Sequence, residues 1–135
     1  MLERVLIVFG ILLLVTVGWS VLLRLRDRRF LRAPADVPGP AVVAFTHPLC
    51  VPCRTQQLPA LEHLRRLDPE IHIEVVDVLQ HPERARRYGI WTVPATAVVD
   101  ASGRIVVLNH GVADEHRLLR QLTQAHPPLR ELTRA

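Results

Sequence analysis

Residues 5–23 (VLIVFGILLLVTVGWSVLL) carry no charged side chain for 19 positions. As a helix this run is about 28 Å long, the thickness of a bilayer's hydrocarbon core. The pattern therefore predicts one transmembrane helix over 5–23. Trp19 lies near its carboxyl end, where an interfacial aromatic belongs, and Arg24, Arg26, Arg28, Arg29 and Arg32 follow directly. A cleaved signal peptide would have a shorter apolar core, basic residues ahead of it and a small-residue cleavage site close behind. The Ala-x-Ala nearest the apolar run, Ala33-Pro34-Ala35, lies beyond five Arg, so a retained anchor is the expectation.

Beyond the anchor the pattern changes period. Residues 33–40 (APADVPGP) hold three Pro and a Gly and read as a stiff, extended tether. Residues 41–45 (AVVAF) are a continuous apolar run, as for a strand buried on both faces. Residues 54–67 place Leu58, Leu61, Leu64 and Leu67 three apart and predict a helix that Pro59 bends. Residues 71–78 (IHIEVVDV) are β-branched and read as a second strand. A short helix over 82–88 follows, with Pro82 in its first turn and Gly89 placed to stop it. Residues 95–99 and 105–108 form a hairpin through Asp100-Ala101-Ser102-Gly103. The last helix, over 113–125, has acids at its start and Pro127-Pro128 beyond its end. The order is strand, helix, strand, helix, strand, strand, helix: a small α/β sandwich. The expected divisions are a tip at 1–4, the span, a juxtamembrane segment and linker at 24–40, a folded domain at 41–126 and a tail at 127–135.

Composition narrows the function. With 135 residues, 49% of them hydrophobic, the chain is a one-domain globular sequence and not a disordered one. The net charge of +4 is concentrated at the amino-terminal end. Residues 1–36 hold six Arg against three acids, and the other 99 residues hold eleven against ten. No basic stripe and few aromatics remain for nucleic acid to use, so that partner is excluded. No Lys occurs, which excludes a catalytic lysine. One Arg precedes the span and five follow within ten residues, so the positive-inside rule places the carboxyl-terminal domain in the cytoplasm, the alternative being the external face. The all-Arg composition fits a GC-rich bacterial genome and hence a bacterial inner or plasma membrane.

Cys50-Val51-Pro52-Cys53 holds the only cysteines. A structural zinc site needs two further ligands, and His47, His63, His72, His81, His110, His116 and His126 show no paired spacing. Iron–sulfur clusters need more Cys, and haem attachment needs His where Arg54 stands. Two unrelated buried thiols are the bland alternative. The remaining reading is a redox dithiol at a strand-to-helix junction. There the helix amino terminus favours thiolate at Cys50, Cys53 sits one turn in as the resolving thiol, Pro52 stiffens the turn and Arg54 adds positive charge.

Over residues 41–125 the chain resembles the thioredoxin family. The resemblance rests on CVPC at 50–53, VDV at 76–78, PERARRYGI at 82–90, TVP at 92–94, VVDASGRIV at 98–106 and Gly111. It implies a trimmed thioredoxin-like α/β fold, a mixed sheet of about four strands flanked by helices, because 33–40 leave no room for the family's first strand and helix. It also implies that Pro94 is a cis-proline facing the disulfide, with Val93 and Pro94 offering backbone groups to substrate beside Val51 and Pro52. Three departures stand out. Leu49 replaces the tryptophan before the first cysteine. Ala44 stands where the buried proton-transfer aspartate falls, and its lysine partner is absent, leaving His47 or Glu74 as substitutes. Pro59, together with Val51-Pro52, resembles the extracytoplasmic branch that reduces apocytochromes, against the Arg topology, although Cys50 and Pro94 are only 44 residues apart, without that branch's longer insert.

The resulting expectation is a membrane-tethered thiol–disulfide oxidoreductase, acting as a reductase, with no metal or organic cofactor. Its partners are protein disulfide clients, a thiol electron donor (thioredoxin-reductase-like or a membrane carrier) and the lipid bilayer. The rivals are an extracytoplasmic reductase or oxidase of the cytochrome-c-biogenesis type and a non-catalytic binding or redox-sensing module.

Overall fold

Strand β1 (Ala41–Thr46) is hydrogen-bonded on both edges and its first five residues are buried. This explains why that segment is apolar without alternation. A computed structural model describes residues 1–126; the tail at 127–135, including the Pro127-Pro128 stop, lies outside the described residues. The remaining elements are helices α1 (Leu2–Phe30), α2 (Leu58–Leu67), α3 (Pro82–Arg87) and α4 (Glu115–Ala125) and strands β2 (His72–Asp77), β3 (Ala95–Val99) and β4 (Ile105–His110). The sheet order is β2-β1-β3-β4, with β1 parallel to β2 and antiparallel to β3, and β3 antiparallel to β4.

Two apolar layers cover the sheet. Val42, Ala44 and Val98 pack with Leu61 and Leu64 of α2 and Leu118 and Leu122 of α4. Val43, Phe45, Ala97 and Val99 pack on the other face with Ala85 and Tyr88 at α3. The hairpin forms as expected. Gly103 takes a φ of +79°, and Asp100 Oδ1 accepts from the backbone N–H groups of Ser102 and Arg104. Gly89, φ +69°, follows α3.

The helix after the cysteines differs from the expectation. It opens with a π-helical turn over Cys53–Gln57, closed by the Leu58 N–H donating to the Cys53 carbonyl, and continues as α2. Pro59 has no N–H for the carbonyl four residues back, and the wider turn upstream takes up that loss where a bend was expected. The buried face is Gln57, Ala60, Leu61 and Leu64, whereas Leu58 and Leu67 are exposed. A spacing of three drifts off a 3.6-residue face, and the i, i+3, i+4, i+7 set stays on it.

Helix α1 is long and apolar enough to cross a membrane, and none of its residues is buried. It continues through the Arg cluster to Phe30, since Arg is a good helix former and no breaker stands before Pro34. Residues 33–40, expected to be an extended tether, bend at 36–37 and 39–40 and lie against the domain. The Arg32 N–H donates to the Ile105 carbonyl (2.6 Å), Ile105 N–H to Ala33 (3.0 Å) and Ala35 N–H to Gly103 (2.9 Å). Val37 is buried, and a side chain at Gly39 would collide with the Asp100 carbonyl.

A polar cluster pins this segment to α3 and β2. Arg84 holds Asp36 with Nε (2.6 Å) and Nη2 (3.0 Å) and Glu74 with Nη1 (2.5 Å), and the Tyr88 hydroxyl donates to Asp36 (2.5 Å). Burial pushes the Asp36 carboxyl up, but hydrogen bonds from Arg84 and Tyr88 outweigh it and hold it below the usual range. The Arg84 hydrogen bond likewise holds Glu74 low against burial. Burial, then the bond to Asp36, pushes the Tyr88 hydroxyl up. Both carboxyls are depressed, so their stabilisation is complete above the ordinary values of 3.8 and 4.5 and is lost as pH falls through the lowered ones. In detergent-solubilised full chain, the thermal midpoint is expected to be flat above about pH 5 and to fall in acid. Arg84→Met should lower stability by about 2 kcal/mol and flatten that acid dependence, as measured by circular dichroism melts.

Candidate active site

Strand register places the expected site residues at one end of the sheet. Phe45 pairs with Ala95, Thr46 with Asp77, and Ala95 with His110. The loop leaving β1 to the cysteines, Pro94 at the head of β3 and the loop leaving β4 therefore share one rim. The Val93–Pro94 peptide bond is cis, and the Pro94 carbonyl accepts from the N–H of Gly111, φ +92° (2.9 Å).

Cys50 and Cys53 form a disulfide across a Cα–Cα distance of 5.3 Å. Cys53 is buried at 1% exposure while Cys50 is partly open, so an incoming thiol meets Cys50 first. The Cys53 N–H donates to Cys50 Sγ (3.2 Å), a contact that stabilises negative charge on that sulfur once the disulfide opens. Leu49, Val51 and Trp91 are exposed apolar side chains in the rim loops, and Arg54 is exposed. Among the described residues no group of three His, Cys, Asp or Glu is placed to hold a metal.

The two suggested proton-handling substitutes are placed differently. His47 lies in the cysteine loop, where its Nδ1 accepts from the Leu49 N–H (3.0 Å) and its carbonyl accepts from the Cys50 N–H (3.0 Å). Glu74 pairs in register with Val43, on the α3 side of the sheet, and is bound to Arg84. The sheet thus separates it from α2 and the cysteine turn, which removes it as a substitute.

Sequence reading missed two polar features. Gln57 is 2% exposed and bridges the backbone of Ala113, donating through Nε2 to its carbonyl (3.0 Å) and accepting its N–H at Oε1 (2.9 Å). This ties the cysteine helix to the loop after β4. Its position four residues after Cys53 and four before Leu61, on the buried face, was the available signal. Opposite Ala44 in register stands Thr96, fully buried, whose hydroxyl accepts from Asn109, and Asn109 exchanges two 2.8 Å hydrogen bonds with Gln121. The layer beneath the cysteine helix is therefore built from neutral polar groups, in keeping with Ala44 standing where the family's aspartate falls.

Among solved structures, a thioredoxin from Fasciola hepatica is 31% identical, with a TM-score of 0.56 over 64% of this chain and 80% of that one. The chain belongs to the thioredoxin family. A thio-disulfide isomerase from Thermus thermophilus (24% identity, TM-score 0.57, 66% of this chain and 80% of that one) shares the fold. So does MTB dsbF (21%, 0.57, 67% and 83%). No family profile and no curated protein matches the chain. As a thioredoxin-family oxidoreductase with its cysteine pair at disulfide distance, the chain carries the redox element of that family at 50–53.

Gln57→Leu removes both partners of the buried Ala113 backbone groups. It is expected to cost about 2 kcal/mol in urea unfolding of the full chain in detergent, with the denaturant slope unchanged.

Proposed function

We propose that this chain is a membrane-tethered protein disulfide reductase, anchored by α1 in a bacterial inner or plasma membrane with its domain in the cytoplasm. The observation that carries the chemistry is the asymmetry of the pair: an accessible Cys50 whose sulfur accepts an N–H bond, and a buried Cys53. In the reduced protein, the Cys50 thiolate attacks one sulfur of a client disulfide, forming a mixed disulfide and releasing the other client sulfur as thiolate. Cys53, deprotonated, then attacks Cys50 Sγ, re-forming the 50–53 disulfide and releasing the second client thiol. Two electrons pass to the client, and a dithiol donor returns them. Val51, Pro52, Val93 and Pro94 border the client's path, the last two through backbone groups. No cofactor takes part.

The topology rests on charge: one Arg ahead of the span and five behind it. A reducing cytosolic thiol pool on that side sets the direction toward client reduction.

Full-length protein in detergent with dithiothreitol is expected to reduce insulin. Cys50→Ser should abolish the activity, and Cys53→Ser should accumulate a mixed disulfide visible on non-reducing gels; undiminished activity in Cys50→Ser overturns the enzyme reading. For sidedness, a reporter active only in the cytoplasm, fused after Ala135, should give signal. Signal from an externally active reporter at the same place instead assigns the domain to the outer face and reverses the expected electron source.

A further inference from the structure

The last turns of α1 meet the domain at its redox end. Asp27 lies 3.1 Å from His110 Nε2, and His110 is the last residue of β4, paired with Ala95 next to Pro94. The Arg26 guanidinium sits 5.3 Å above the ring of Trp91, in the loop that leads to Pro94. Phe30 packs against Gly89, where any side chain would strike its ring. Five residues after Asp27, the Arg32 N–H bonds to Ile105, at the opposite end of β4, about 16 Å away along the strand. Tracing the chain backward from Arg32 to Asp27 thus runs along β4 from its far end to its redox end. The apolar run, which ends at Leu23, continues beyond that end. From Leu23 to Asp27 the helix rises about 6 Å.

Resting on the tethered-reductase reading, we infer that the Cys50–Cys53 rim faces the bilayer that holds α1, and that its clients are disulfides in extended juxtamembrane segments of other membrane proteins, within about 10 Å of the apolar boundary. The rim fits that occupant. Leu49, Val51 and Trp91 are 83%, 57% and 52% exposed, an apolar border suited to a segment leaving hydrocarbon. Arg24, Arg26, Arg28 and Arg29 are exposed around the same level of α1 and complement anionic headgroups. A freely diffusing client would have to enter between this rim and the lipid surface.

The test uses the full chain in nanodiscs containing anionic lipid, with a single-span peptide whose disulfide loop lies either about three or about 25 residues from its span. The proximal disulfide is expected to be reduced about tenfold faster. Equal rates, or a faster distal one, overturn the substrate assignment. Orientation is read separately by quenching from headgroup spin-labelled lipid. A fluorophore on Cys50 in Cys53→Ser should be quenched several-fold more than one on Ala101→Cys in a Cys50→Ser, Cys53→Ser background; equal or reversed quenching overturns the orientation. Failure of the chain to float with vesicles sinks the tether and this inference together. Strong quenching at position 50 without reduction of either disulfide sinks the reductase reading and the client class, with the orientation recorded independently.

Discussion

Backbone pairing on both edges of β1 is the constraint on which the rest depends. With its polar groups satisfied by β2 and β3, the strand's side chains have only apolar surroundings on either face, and helices must cover both. The parallel β1–β2 pair requires a crossover, and α2 is that crossover. The chain leaving the carboxyl end of β1 therefore turns into the cysteines at the head of the crossover helix. The position of the dithiol follows from the topology of the sheet, and the strand that carries no chemistry decides where the chemistry sits.

The amino-terminal segment adds a second constraint. Residues 32–35 are hydrogen-bonded to the start of β4 and the preceding hairpin, Asp36 is held by Arg84 and Tyr88, and Asp27 reaches the other end of the same strand. These contacts hold residues 32–36 against the domain. The end of α1 meets the redox rim through the Asp27–His110 contact and the Arg26–Trp91 ring contact.

The interior beneath the cysteine helix is neutral in place of charged. Thr96, Asn109 and Gln121 satisfy one another, and Gln57 satisfies Ala113, so no buried ionised group needs a partner there. Asp36, Glu74 and Arg84 gather on the opposite face, where they fasten the linker.

Much was legible in the order of residues alone. The 19-residue uncharged run, the buried strand at 41–45, the Asp-to-Gly hairpin and the Cys-x-x-Cys at a strand-to-helix junction are local patterns, each set by short-range backbone chemistry or by a period of two or 3.6. The four-residue step from Cys53 to Gln57 was readable in the same way. Other features depend on residues far apart meeting in space. Asp36 meets Arg84 across 48 positions, Gln57 meets Ala113 across 56, and Asp27 meets His110 across 83. No periodicity encodes such pairs, since each is fixed by strand register and layer packing. The order of residues alone settles a long apolar amino-terminal helix, a small α/β domain and a Cys-x-x-Cys pair. Which end of the sheet α1 meets is set on folding, because it rests on contacts between segments that have no local signal of each other.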